Sequence, residues 1–206
     1  MTTLIIARHG NTFNKGETPT RVGALTDLPL VESGREQAAA IGRYIKENRH
    51  LTPDVVYSSN LQRTIDTARI AVKASGVMNP VYPLDMFNEI NYGPDENKPE
   101  NEVIARLGVE ALQKWDEEAI VPDGWLADPR LIIKNWIDFA DQIAAHDDNE
   151  TVLVVTSNGI ARFAPHITGD FEGFRKTHDI KLATGALGIL KLKDGRWSVE
   201  GWNIRP

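Results

Sequence analysis

Short β-branched runs alternate along this chain with longer stretches whose apolar residues recur every three or four positions. Residues 2–7 form the first such run and predict a buried strand, ending at Arg8-His9-Gly10. Residues 11–32 carry Gly16, Pro19, Gly23 and Pro29 and predict a long loop. Ser33-Gly34-Arg35-Glu36 has the form of a capping box, opening a helix that buries Ala38, Ile41 and Ile45. A second strand is expected at 54–57, then a helix from near Asn60 with Leu61, Ile65, Ala68 and Val72 on one face. A third strand is expected at 81–84, followed by an irregular stretch at 88–100. Asn101 can cap a helix burying Ile104, Leu107, Ala111 and Trp115. Asp128-Pro129 marks the start of another, burying Ile132, Trp136, Phe139 and Ile143.

Residues 151–156 are the most apolar run and predict a central strand covered on both faces. Runs at 186–192 and 197–202 flank Asp194-Gly195, a hairpin turn pair. The alternation predicts an α/β protein, a three-layer α/β/α sandwich. Its central sheet should be mostly parallel and end in a C-terminal antiparallel hairpin.

The chain has 206 residues, enough for one well-buried core, so residues 1–206 are expected to form a single domain. A net charge of −6 argues against nucleic acid or an anionic membrane as a partner. A small phosphorylated substrate would need a local positive site. The absence of cysteine excludes disulfides, thiolate metal sites and cysteine nucleophiles. Residues 4–7 are too short an apolar run for a signal peptide or membrane span, and a cytoplasmic location is expected. No ligand cluster calls for a metal or organic cofactor, and oligomeric state is not legible.

Four polar motifs fall at or just after predicted strand ends: Arg8-His9-Gly10, Ser58-Ser59 with Arg63, Asn88-Glu89, and Ser157-Asn158-Gly159. Parallel strands bring their carboxyl ends to one edge, where ligands bind in open sheets. Arg8 and Arg63 can fork onto phosphate oxygens. Arg63 also falls in the first turn of its helix, where the dipole favours an anion. Gly10 allows close approach of backbone to a ligand. His9 offers a ring nitrogen suited to attack phosphorus and then leave. Glu89 can protonate a leaving oxygen and later activate water.

Together, Arg8-His9-Gly10-Asn11-Thr12 with Asn14 resembles the Arg-His-Gly signature of the histidine phosphatase superfamily, in its phosphoglycerate-mutase-like branch. Further along, Arg21-Val22-Gly23, Asp27-Leu28-Pro29-Leu30 and Glu32-Ser33-Gly34 resemble the family's next loop and helix start. Tyr57-Ser58-Ser59-Asn60-Leu61-Gln62-Arg63-Thr64 resembles its second arginine motif, Asn88-Glu89-Ile90-Asn91-Tyr92-Gly93 its acid motif, and Thr184-Gly185 also fits. The resemblance implies a phosphohistidine on His9, phosphoryl binding by Arg8 and Arg63, and Glu89 as general acid/base. Gly10, Asn14, Arg21 and Gly159 are expected to contact substrate.

The family normally carries a second histidine where this chain has Asn158. An amide can donate a hydrogen bond but carries no charge. Charged hydrogen bonds are worth roughly 1.5–3 kcal/mol against about 0.5–1.5 for neutral ones. The exchange therefore corresponds to on the order of tenfold to a hundredfold in rate. Three readings stand: a working subfamily with retuned electrostatics, a catalytically weak or inactive phosphate-ligand-binding pseudoenzyme, or an engineered change or compensation by a residue from elsewhere such as His166 or His178. Arg162 reads equally as a structural ion pair or a site contact. Trp115, Trp136 and Trp202 read as core or sheet-face residues, while Trp125 lies in a loop able to line a pocket. Residues 88–130 form the largest insertion and are expected to cap the site. This segment is acidic and lacks the paired-arginine segment of the family's mutases. A phosphatase acting on a small phosphomonoester is the leading expectation, with a phosphomutase as the alternative.

Overall fold

A computed structural model describes residues 1–146 and 149–206. In chain order it contains β1 (Thr3–Arg8), α1 (Glu32–Glu47), β2 (Val55–Ser58), α2 (Gln62–Ser75) and β3 (Val81–Pro83). There follow α3 (Glu100–Leu107), α4 (Val109–Glu118), α5 (Pro129–His146), β4 (Thr151–Thr156), α6 (Asn158–Ala161) and α7 (Phe171–Arg175). The chain closes with β5 (Leu187–Lys193) and β6 (Arg196–Ile204). Among the described residues the strands make one 6-stranded sheet, ordered β3-β2-β4-β1-β5-β6. Parallel pairing joins β3, β2, β4 and β1, and antiparallel pairing adds β5 and β6.

Both faces of the central strands are apolar, because helices cover both. Ile5 and Ala7 of β1 and Leu153 and Val155 of β4 pack on Ile41 and Ile45 of α1 and Ala68, Ala71 and Val72 of α2. The alternate residues Leu4, Ile6, Val152 and Val154 pack on the other side, with Trp136, Phe139 and Ile143 of α5 and Trp115 of α4. Alternation of successive side chains across the pleat thus splits each strand between two cores. All 6 residues of β4 are buried, as its composition predicts for a strand at the centre of a three-layer sandwich.

Local signals hold where nothing tertiary competes. Asp128 Oδ1 accepts the Arg130 N–H at 2.9 Å as α5 begins. Asp194 and Gly195 adopt φ of 51° and 72°, the pair of positive values that a tight hairpin turn of this kind requires.

Two expectations are corrected. The capping box does not form: α1 begins at Glu32 with Val31 at its N-cap, so Ser33 already lies inside the helix. Its hydroxyl instead accepts from Asn11 Nδ2 at 3.3 Å. The helix expected from Asn101 is two, broken at Gly108, whose φ of +80° no α-helix accommodates. The break turns the buried face to Val103, Leu112 and Trp115, and leaves Ile104 exposed.

Candidate active site

Register brings the strand ends into line. Arg8 pairs with Thr156 across β1 and β4, and Ser58 with Val155 across β2 and β4. The next residues leave the sheet together, with the His9 N–H on Thr156 O at 3.1 Å and the Ser59 N–H on Val155 O at 3.2 Å. The Thr156 hydroxyl donates to Phe87 O at 2.7 Å, tying the segment that carries Glu89 to the same edge. A cavity of about 600 Å³ opens there, lined among others by Arg8, His9, Asn14, Arg21, Glu89 and Asn158.

His9 is 7% exposed. Its Nδ1 lies 2.8 Å from Gly10 O, a carbonyl that can only accept, so Nδ1 carries the proton and Nε2 keeps its lone pair. Burial, then the charges of Arg63 and Arg8, hold the imidazole well below its ordinary value of 6.5. It is therefore a neutral base at physiological pH.

The two arginines act from different places. Arg8 lines the cavity, anchored by Nη1 on Leu182 O at 2.8 Å, and its buried Nε has no partner. Arg63 is fully buried and lies outside the cavity lining. Its terminal nitrogens donate to Thr26 O at 2.7 Å and Gly23 O at 3.1 Å, leaving Nε unpartnered. Burial lowers both guanidinium pKa values, an effect that Glu89 opposes. The N-terminal end of α2 already has its anion, because Asp27 Oδ1 accepts the Gln62 N–H at 2.8 Å.

Glu89 is buried, its Oε1 accepting the Ile90 N–H at 2.9 Å and its Oε2 the Gly159 N–H at 3.1 Å. A Cβ on residue 159 would stand 2.1 Å from Glu89 Oε1, so only glycine leaves room for the carboxylate. Gly159 therefore holds Glu89 and does not line the cavity. Gly10 is placed likewise: its N–H donates to Thr67 Oγ1 at 3.1 Å, and a Cβ would meet Gly34 O at 2.2 Å. The backbone it admits is that of α1, not a ligand's.

Asn158 faces the cavity. Its Oδ1 accepts the Leu182 N–H at 2.9 Å, and its Nδ2 has no hydrogen-bond partner among the described residues. Asn14 sits at the rim with its backbone N–H and amide on Glu17. Arg21 stacks over Tyr92 and Trp125, at 5.5 and 5.0 Å from the ring centroids, and pairs with Glu100 at 2.6 Å.

Three lining residues had only weak sequence signals or none. Tyr92 follows Glu89 by one turn of irregular chain, Trp115 reads as core, and Arg162 was undecided; all three line the cavity. Trp125 does not: its indole N–H donates to Asp95 Oδ2 at 2.7 Å beneath the Arg21 guanidinium. His166 and His178 stack on Phe171 and Phe174, with ring centroids 3.9 and 4.7 Å apart, and neither lines this cavity. Among the described residues no group of three or more His, Cys, Asp or Glu side chains is placed to hold a metal ion.

A model of the histidine phosphatase superfamily, branch 1, matches residues 4–205. The chain belongs to that superfamily. Sequence relatives include the 2,3-bisphosphoglycerate-dependent phosphoglycerate mutase of Arthrobacter sp. (strain FB24), 36% identical over 113 residues, 54% of this chain and 44% of the relative. Phosphoglycerate mutase 1 of Saccharomyces cerevisiae is 33% identical over 124 residues, 59% of this chain and 49% of that protein. The chain spans about half the length of the curated relatives it matches. Among solved structures, a mycobacterial hydrolase superposes with a TM-score of 0.80 at 19% identity, covering 99% of both chains. Phosphoserine phosphatase of Entamoeba histolytica, solved with 3-phosphoglyceric acid, gives 0.76 at 22%, covering 99% of this chain and 98% of its own. At these identities the likeness is one of fold.

The buried neutral His9 of this superfamily member has a measurable consequence. Below about pH 6.5 the unfolded chain takes up a proton that the native site resists, so unfolding gains protons and stability falls with pH. The contribution is intact above 6.5 and is lost progressively down to the native His9 value. Half-buried His166 acts in the same direction. Denaturant titrations of wild type and His9→Gln at pH 8 and 5.5 separate the two. A smaller loss of stability in the variant is expected, and equal losses would exclude a buried neutral His9.

Proposed function

We propose that the protein is a phosphatase that hydrolyses a small phosphomonoester through a phosphohistidine on His9. The observation that carries this reading is a neutral, buried His9 with Nε2 unengaged at a cavity whose walls also hold Arg8, Glu89 and Asn158. Arg8 and the Asn158 amide bind the phosphoryl oxygens, while Arg63 adds positive charge from behind His9. Nε2 attacks phosphorus and the bond to the leaving oxygen breaks. Glu89 delivers a proton to that oxygen, and the alcohol departs. The Glu89 carboxylate then takes a proton from water, whose oxygen attacks phosphorus and breaks the P–N bond. Inorganic phosphate leaves and His9 is restored.

Residues 88–130 act as a cap in this reading, since Glu89, Tyr92, Glu100, Trp115 and Asp116 all come from that segment. The carboxylates of Glu100 and Asp116 disfavour a second anionic group on the substrate. A phosphomutase is the second reading, favoured by the names of the sequence relatives. The phosphatases among the fold neighbours support hydrolysis.

Rapid acid or alkaline quenching of the protein with a radiolabelled phosphomonoester tests the proposal. An alkali-stable, acid-labile label mapped to His9, released as inorganic phosphate, is the expected result. Transfer of the label to an alcohol in preference to water favours the mutase. Phosphate binding with no label and no turnover leaves a non-catalytic binder.

A further inference from the structure

We infer that Arg162 is a direct ligand of the phosphoryl group, supplying positive charge on the wall where Asn158 is neutral; this rests on the phosphatase reading. Arg162 lines the cavity yet is only 2% exposed. Its Nε donates to Asn158 O at 3.2 Å and its Nη1 to Trp115 O at 2.5 Å. The guanidinium carbon lies 3.8 Å from the Trp115 ring centroid, so the fork is held flat and in one place. Its remaining nitrogen, Nη2, has no hydrogen-bond partner among the described residues and is not among the sealed, unpartnered atoms of the core. That nitrogen is the one left to the cavity.

Arg106, which lies outside this cavity, is held differently. Arg106 forks onto Asp95 through both Nε and Nη2. Arg162 has no carboxylate within hydrogen-bond distance: Asp116 Oδ1 stands 3.9 Å away, and its other oxygen is taken by Lys181 at 3.0 Å. A buried cation left short of counter-charge is costly unless a ligand provides the counter-charge. Burial lowers Arg162 to about 10, which leaves it charged at neutral pH. A phosphoryl group beside His9 supplies both the anion and an acceptor for Nη2. The preorganised fork, one turn beyond Asn158, provides a charge that the amide at 158 does not.

The test compares Arg162→Gln, Arg162→Lys and the double variant Arg162→Gln/Asn158→His, with orthovanadate affinity, kcat and KM, and thermal melting as readouts. Arg162→Gln is expected to lower vanadate affinity and kcat/KM about thirtyfold, the range for losing one charged hydrogen bond to an anion. Placing an imidazole at 158 is expected to restore part of that loss without restoring the melting temperature. A merely structural arginine predicts the reverse, with activity following stability and no rescue. Arg162→Lys keeps the charge and the stem on Trp115 and should bind vanadate more tightly than an uncharged variant. Should Arg162→Gln fail to fold, Arg162→Met takes its place, and a folded methionine variant with wild-type vanadate affinity overturns the inference. Wild-type vanadate affinity in a folded Arg162→Gln overturns it as well and leaves the phosphatase reading standing. A wild type that neither binds vanadate nor becomes labelled on His9 overturns both.

Discussion

Replacing His9 by alanine is expected to lower kcat at least about a thousandfold, because the proposed phosphohistidine forms on its unengaged Nε2. Binding should survive. Arg8 and Asn158 hold their places through Leu182, on its O and N–H respectively, and neither contact involves the imidazole. Folding should also survive, since the ring is buried in its neutral form and its one hydrogen bond is to the adjacent Gly10 carbonyl. Steady-state assays with an aryl phosphate, beside calorimetric titration with inorganic phosphate, check both halves. A variant that keeps more than a tenth of wild-type turnover would remove His9 from the mechanism. One that loses turnover together with binding of inorganic phosphate would mean the residue positions the anion and does not attack it.

The second large effect belongs to Glu89, and its signature depends on the leaving group. Glu89→Gln should reduce kcat/KM for an alkyl phosphate by about a hundredfold to ten-thousandfold, the usual worth of a positioned acid. For a nitrophenyl ester, whose leaving oxygen needs no proton, kcat/KM should change little. Hydrolysis of the phosphohistidine still needs a base, so the intermediate should accumulate with either ester and lower kcat. Glutamine presents one carbonyl oxygen where the carboxylate serves two donors, the N–H groups of Ile90 and Gly159. A modest loss of stability, on the order of 1–3 kcal/mol for one unsatisfied buried donor, should accompany the substitution. A loss in kcat/KM that is equal across leaving groups would contradict the acid role.

The convergence of the motifs at 8–10, 58–63, 88–89 and 157–159 was legible because parallel strands share an edge for their carboxyl ends. Once β1, β2 and β4 are recognised, Arg8, Ser58 and Thr156 have little choice of place. The roles within the cluster were less legible. Arg63 and Arg8 look equivalent as residue types, yet Arg63 turns its terminal nitrogens to the carbonyls of Gly23 and Thr26 and stands outside the lining. Gly10 reads as a ligand-approach glycine, but α1 occupies the space beside it. Each outcome depends on the path of residues 11–34, a long loop with almost no periodic signal.

The sequence by itself determined the layers, the central strand, the turn at Asp194-Gly195 and the edge of the sheet that holds the chemistry. Those follow from patterns a few residues long: β-branched runs buried on both faces, apolar spacing near 3.6, and turn residues with positive φ. Only tertiary structure decided where helices begin and which polar groups remain unspent. The capping box at Ser33 yields to the close crossing of Gly34 with Gly10 and Asn11, and the helix beyond Glu100 breaks at Gly108 as the chain wraps Trp115. The same holds for Arg8-His9-Gly10. The triplet reads as a phosphate loop, but whether His9 is neutral, which ring nitrogen is unengaged and which arginine faces the cavity depend on burial and on partners far along the chain. Such contacts leave no periodic trace in sequence, because they are made between segments that approach one another only after the chain has folded.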